Sequence, residues 1–177
     1  MPSVVKRGSL LLVMGSLLYG GMALASTGAV TVKAVTNSSL QRPIVVNSAG
    51  LTLYHYLTEK KGTIRCTGSC RTLWPPLLVG ASSKPVAGAG IVAAKLGTVK
   101  RPDGGIQVTY GGFALYRYRA DRKAGQVKGQ GVESLWYAVT PAGTVTKAKP
   151  AGSTGGTPPA TTTTPPPTTT DTGGYTY

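Results

Sequence analysis

Gly50-Leu51-Thr52-Leu53-Tyr54-His55-Tyr56-Leu57-Thr58-Glu59 is answered 62 residues later by Gly112-Phe113-Ala114-Leu115-Tyr116-Arg117-Tyr118-Arg119-Ala120-Asp121. The same shift carries Ile44 and Val46 onto Ile106 and Val108, Lys61 onto Lys123, and Leu73-Trp74 onto Leu135-Trp136. Aligning 44–78 with 106–140 gives nine identities over 35 positions without a gap. Two copies of this length are too few and too long for a solenoid. The reading is a mainly β fold of two tandem β repeats at an offset of about 62 residues, repeat one at about 44–78 and repeat two at about 106–140, packed with pseudo-twofold symmetry.

Local signals specify strands. Ile106–Tyr110 and Phe113–Tyr118 flank Gly111-Gly112, and two glycines between alternating runs favour a hairpin whose central residues take positive φ. Ser48-Ala49-Gly50 marks a looser turn at the matching place. Leu135–Thr140, Pro141-Ala142-Gly143 and Thr144–Lys147 predict another hairpin. Val30–Val35 predicts a leading strand, and Pro102-Asp103-Gly104-Gly105 a turn. Only Gly90–Leu96 could form a short helix. Period two then puts Tyr54 and Tyr56 on one face, as it does Tyr116 and Tyr118. The opposite face carries Leu51, Leu53, His55 and Leu57 in one copy, and Phe113, Leu115, Arg117 and Arg119 in the other. Trp74 and Trp136 are expected as buried pillars of a small core.

On either side of the repeats the composition changes. Lys6 and Arg7, the apolar run Leu10–Leu24 and Ala23-Leu24-Ala25 predict a signal peptide over 1–25, too short to span a bilayer. The folded unit is expected over 26–147. Residues 148–177, with 11 Thr, 6 Pro and 5 Gly, predict a disordered spacer. Export to a periplasmic or extracellular space makes a disulfide the favoured reading of Cys66 and Cys70, with Gly68 permitting a tight turn between them. Redox and metal roles are the lesser alternatives, because three intervening residues do not make a Cys-x-x-Cys motif.

Several chemistries are excluded. The three methionines, Met1, Met14 and Met22, all lie in the leader, and His55 alone cannot supply a two-histidine copper site. No haem-attachment, Walker or dinucleotide motif is present. No cofactor, metal or catalytic residue is assigned. His55 is read as structural or surface-exposed, with ligand and catalytic roles behind. Glu59 and Asp121 are the sharpest catalytic candidates, because glycosidases hold two carboxyls about 5–9.5 Å apart. The favoured reading instead has each acid close its own repeat by accepting from a tyrosine hydroxyl or backbone amides.

Charge points to a partner. The chain carries +14 overall, and without Lys6 and Arg7, 17 basic residues face 5 acidic. Lys60, Lys61, Arg117, Arg119, Arg122 and Lys123 are the candidate anion-binding residues, with Lys60-Lys61 and Arg122-Lys123 equivalent under the repeat and expected to double one positive edge. In an exported protein an anionic envelope polymer or membrane surface is the natural counterpart, and nucleic acid is disfavoured by compartment.

Tyr54-His55-Tyr56-Leu57-Thr58-Glu59 and Tyr116-Arg117-Tyr118-Arg119-Ala120-Asp121 resemble the Tyr-x-aromatic-x-x-Asp motif of bacterial secreted-repeat proteins, predicted lipoproteins of unknown function. Cys66–Cys70 with Trp74-Pro75-Pro76-Leu77 looks like that family's first repeat. Arg101–Tyr110, Gly129-Gln130-Gly131 and Trp136 look like its second. The resemblance spans about 44–143 and implies an envelope or extracellular protein without an established activity. This chain departs from the pattern in lacking a lipid-modified Cys and in placing Glu59 where the motif has Asp. The expectation is a non-enzymatic binding or structural module for anionic envelope components. A redox or cofactor-associated accessory protein is second and a glycan hydrolase third.

Overall fold

The computed structural model describes residues 29–152. The expected signal peptide, and the tail from 153 on, lie outside the described residues. The described chain is mainly β, with β1 (Thr31–Asn37), β2 (Arg42–Asn47), β3 (Tyr54–Tyr56), α1 (Ser69–Leu73), β4 (Leu78–Val79), β5 (Val86–Ala87), β6 (Leu96–Lys100), β7 (Ile106–Tyr110), β8 (Phe113–Ala114) and β9 (Trp136–Ala138).

Three small sheets result. β1 pairs antiparallel with β2 and parallel with β5. β7 pairs antiparallel with β6, β4 and β8. β3 pairs antiparallel with β9, setting Tyr54 against Ala138 and Tyr56 against Trp136. Gly111 and Gly112 take φ of 63° and 89°, the positive values that a two-residue hairpin turn requires and that a Cβ would oppose.

The strands beyond that turn are shorter than the alternating pattern suggests. β8 stops at Ala114; Leu115 N–H still donates to Val108 O of β7 at 2.9 Å, and the chain then pairs elsewhere. Tyr116 N–H donates to Tyr54 O at 3.1 Å and Tyr54 N–H to Tyr116 O at 2.8 Å. Arg117 N–H donates to Pro75 O at 2.9 Å. The tyrosine segments therefore pair with one another, and each takes a tryptophan-bearing segment on its other side: Trp136–Ala138 for β3, and the Trp74–Pro76 stretch for Tyr116.

Neighbouring residues on these strands enter different cores, as period two requires. One core contains Tyr54, Tyr116, Trp74, Trp136, Ile44 and Val46. The other contains Leu53, Leu115, Val45, Val108, Leu77 and Val139. Both faces of the central strands are thus covered.

Among the described residues helical structure is confined to single turns. Gly90–Leu96 contributes one 3-10 turn at Ala93–Lys95, and a second occurs at Val132–Ser134. α1 forms where the sequence suggested only a tight turn. Its five residues start after Gly68 at φ 53° and carry Cys70 within the first turn. The Cys66–Cys70 disulfide closes this loop with a Cα separation of 5.2 Å. At the C-terminal end, Ala151 N–H donates to Ser39 O at 2.7 Å. Among the described residues no helix is long and apolar enough to cross a membrane.

Candidate functional site

The centre of the molecule is an exchange of hydrogen bonds between the two tyrosines and the two carboxylates. Tyr54 Oη donates to Asp121 Oδ2 at 2.6 Å, and Tyr116 Oη donates to Glu59 Oε1 at 2.7 Å. Each acid accepts backbone amides of its own repeat, while the tyrosine hydroxyl comes from the other one. Each acid receives the tyrosine of the other copy, because the antiparallel pairing of Tyr54 with Tyr116 carries each hydroxyl across to the other half.

Backbone amides complete both carboxylates. Asp121 Oδ1 accepts from Lys128 N–H at 2.9 Å. Glu59 Oε1 accepts from Arg65 N–H at 2.7 Å and Cys66 N–H at 3.1 Å. Both acids are 4% exposed. Burial pushes the Asp121 carboxyl above the usual carboxylate range, against the pull of Tyr54 and the Lys128 amide. Burial likewise raises both tyrosines, reinforced by their carboxylate partners, so the hydroxyls stay protonated as donors.

Beneath this exchange, the indoles of Trp74 and Trp136 stack at 3.8 Å with planes 5° apart. Tyr56 stacks on Trp136 and Tyr118 lies over Trp74, each at 4.4 Å between centroids. Tyr54 meets Trp74 edge-on at 5.5 Å, and Tyr116 meets Trp136 edge-on at 5.3 Å. Both indoles are 2% exposed or less, so neither offers a face to a sugar. Gly129 closes this layer. A Cβ there would lie 2.9 Å from both Trp74 and Tyr54 ring atoms.

The basic residues sit outside this core. Lys60, Lys61, Arg119, Arg122 and Lys123 are exposed, and Arg117 is half-buried. Lys61 packs its stem against Gly112 and brings Nζ to 5.9 Å from the Phe113 ring. The Arg122-Lys123 pair precedes Ala124, which abuts Gly50. Gly50 and Gly112 precede tyrosines that pair antiparallel, so the two basic pairs lie at opposite ends of that pairing rather than along one doubled edge. Ion pairs among the described residues involve Asp103 alone among acids, with Arg71 at 3.1 Å and Arg101 at 2.7 Å. Arg101 is buried and also reaches Cys66 O at 2.8 Å, a structural anchor between the disulfide loop and β7 that the sequence reading missed.

His55 is buried at 4% exposure, on the structural side of the two placements the sequence allows. Its Nδ1 lies 2.9 Å from Ala114 O. A carbonyl can only accept, so Nδ1 carries the proton and donates. Burial pushes the His55 pKa down to about 4, which keeps the ring neutral and Nε2 a bare acceptor near pH 7. Among the described residues two buried side-chain atoms have no hydrogen-bond partner, His55 Nε2 and Glu59 Oε2. Both side chains line one cavity of about 300 Å³ with Tyr56, Leu57, Phe113 and Val145. Among the described residues no group of three or more His, Cys, Asp or Glu is arranged to hold a metal.

A family described as a secreted repeat of unknown function matches residues 97–140. Over β6 to β9, then, the chain is similar to a class of secreted proteins, which fits an exported protein of unestablished activity. No curated protein and no solved structure matches the chain.

Proposed function

We propose that this chain is an exported, non-enzymatic module built from two copies of one β unit about a pseudo-twofold axis, and that it binds anionic envelope polymers through basic clusters at the two ends of the paired tyrosine segments. The pseudo-twofold reading is supported by contacts that recur under a shift of 62. Leu77 N–H to Leu115 O has its counterpart in Val139 N–H to Leu53 O, both at 3.0 Å. Arg119 N–H to Leu73 O has its counterpart in Leu57 N–H to Leu135 O, both at 2.9 Å.

The observation that carries the binding reading is the imbalance of charge partners. Glu59 and Asp121 are buried against tyrosines, and Asp103 is engaged by two arginines. Lys60, Lys61, Arg119, Arg122 and Lys123 are left exposed with no ion pair to any described carboxylate. Unneutralised cations focus a positive potential, and a polymer long enough to reach both clusters gains from simultaneous engagement. A glycosidase role is disfavoured because Glu59 and Asp121 are buried as acceptors of structural hydrogen bonds.

Co-sedimentation with isolated envelopes tests this. Binding should fall steeply between about 50 and about 500 mM salt, and reversing Lys60 and Lys61 to Glu together should weaken it at the lower concentration. Retention insensitive to salt overturns the reading. Parallel runs with polygalacturonate and with phosphatidylglycerol vesicles distinguish a polymer from a membrane surface.

A further inference from the structure

We propose that the outer edge of β6 takes up an extended acidic segment of a partner protein as an added strand. The backbone register shows which groups are available. Gly111 N–H donates to Lys95 O at 2.8 Å, and Arg101 N–H donates to Gly105 O at 3.1 Å. Gly97 and Val99 lie in the same phase and turn their amides and carbonyls to β7. Leu96, Thr98 and Lys100 turn theirs the other way. Leu96 N–H is spent on Ala93 O. The amides of Thr98 and Lys100, and the carbonyls of all three, have no backbone partner among the described residues. Thr98 and Lys100 are exposed.

A groove of about 400 Å³ adjoins this edge, lined by Lys84, Pro85, Ala87, Ala93, Leu96 and Thr98. Val92 and Val86, chain neighbours of that lining, are 49% and 45% exposed, more than any other large hydrophobic among the described residues. In strand addition, main-chain hydrogen bonds supply affinity and adjoining pockets supply specificity. Both are present at β6.

Charge selects the occupant. Lys84 and Lys100 are exposed, and neither is paired with a described carboxylate. No Asp or Glu lines the groove. Asp103, the described acid closest in sequence to β6, is held by Arg71 and Arg101. A second copy adding its own β6 would bring Lys84 and Lys100 of both chains to one seam, and like charges across paired strands are destabilising. A carboxylate opposite Lys100 is stabilising instead. Leu96, Thr98 and Lys100 share one face, so the fitting segment carries acids two residues either side of the one that meets Thr98. None of these residues belongs to the basic clusters, and the proposal does not rest on envelope binding.

The test uses the full chain, with backbone amides followed by NMR during titration with the capped peptide Glu-Val-Thr-Val-Glu. The Thr98 and Lys100 amides should shift saturably, and Lys-Val-Thr-Val-Lys should bind at least about tenfold more weakly. Thr98→Pro removes one outward amide and no bond to β7, a change that edge strands tolerate, and it should weaken binding about tenfold or more. Reversing Lys84 and Lys100 to Glu together should invert the preference between the two peptides. Thermal unfolding confirms that each variant is folded. No saturable shift at Thr98 up to about 10 mM peptide, equal affinity for the two peptides, or unchanged affinity in folded Thr98→Pro overturns the proposal. A dimer that forms without peptide and is lost in Thr98→Pro also overturns it, because a second copy then covers the edge. Reversing Lys60 and Lys61 to Glu should leave peptide affinity unchanged; a loss there assigns the peptide to the basic clusters and overturns the β6 site.

Discussion

Tyr54 and Tyr116 occupy equivalent places yet should differ in their energetic weight. Asp121 Oδ2 receives Tyr54 as its one donor, whereas Glu59 Oε1 keeps the Arg65 and Cys66 amides if Tyr116 is lost. Removing the sole donor of a buried acceptor costs more than removing one of three. Tyr54→Phe is therefore expected to destabilise by about 3 kcal/mol and Tyr116→Phe by about 1.5 kcal/mol. Urea unfolding of both variants measures the difference, and the reverse order contradicts this account of the exchange. His55 adds a pH dependence. Its pKa is pushed down to about 4 by burial, below the usual 6.5 of the unfolded chain. Between those values the unfolded chain holds a proton that the folded protein refuses. The stabilisation is thus complete above pH 6.5 and is lost as pH falls toward 4, by roughly 3 kcal/mol in all. Asp121, raised by burial, contributes the opposite slope, so the wild-type profile mixes the two. His55→Asn can preserve a donor to Ala114 O but does not titrate, and its melting temperature should fall less than the wild type's between pH 7 and pH 4. Parallel profiles would remove His55 from the explanation.

Elements in this protein are short, and tertiary contacts decide where they end. The Gly111-Gly112 hairpin was legible because positive φ at two adjacent residues is a local demand that glycine meets. α1 was not, since five residues are too few to display a helical period, and its start is set by the loop that the disulfide closes. That loop contains few residues, so in the chain-entropy model its bond contributes only about 2 kcal/mol. Reduction should lower stability by that order while β-sheet circular dichroism persists at 25 °C. Wholesale unfolding on reduction would instead mean that the Cys66–Arg101 anchor depends on the closed loop. The extended run Phe113–Tyr118 also ends early as a strand of β7's sheet, because from Tyr116 on its backbone bonds to Tyr54 and Pro75.

At the scale of the molecule, the first half supplies the acid and tryptophan segment that the second half's tyrosine needs, and the second does the same for the first. The stacked Trp74–Trp136 pair joins the two beneath the hydrogen-bond exchange. The proposed salt-sensitive binding to envelopes belongs at this scale too, because the basic pairs reach opposite ends only through the antiparallel tyrosine pairing. Copy one is not a plain replica of copy two. His55, Leu57 and Glu59 line a small, mostly apolar cavity, where the second copy has Arg117 and Arg119 in place of His55 and Leu57.

The order of residues alone determined the mainly β class, the 62-residue correspondence, the Gly111-Gly112 turn and the pairing of the two available cysteines, because each depends on near-neighbour stereochemistry or on residue identity. The tertiary structure decided which tyrosine meets which acid, where the basic clusters lie, and that His55 and Glu59 share a cavity. Those outcomes depend on how distant segments cross, and period-two alternation specifies which face a side chain takes without specifying what covers that face.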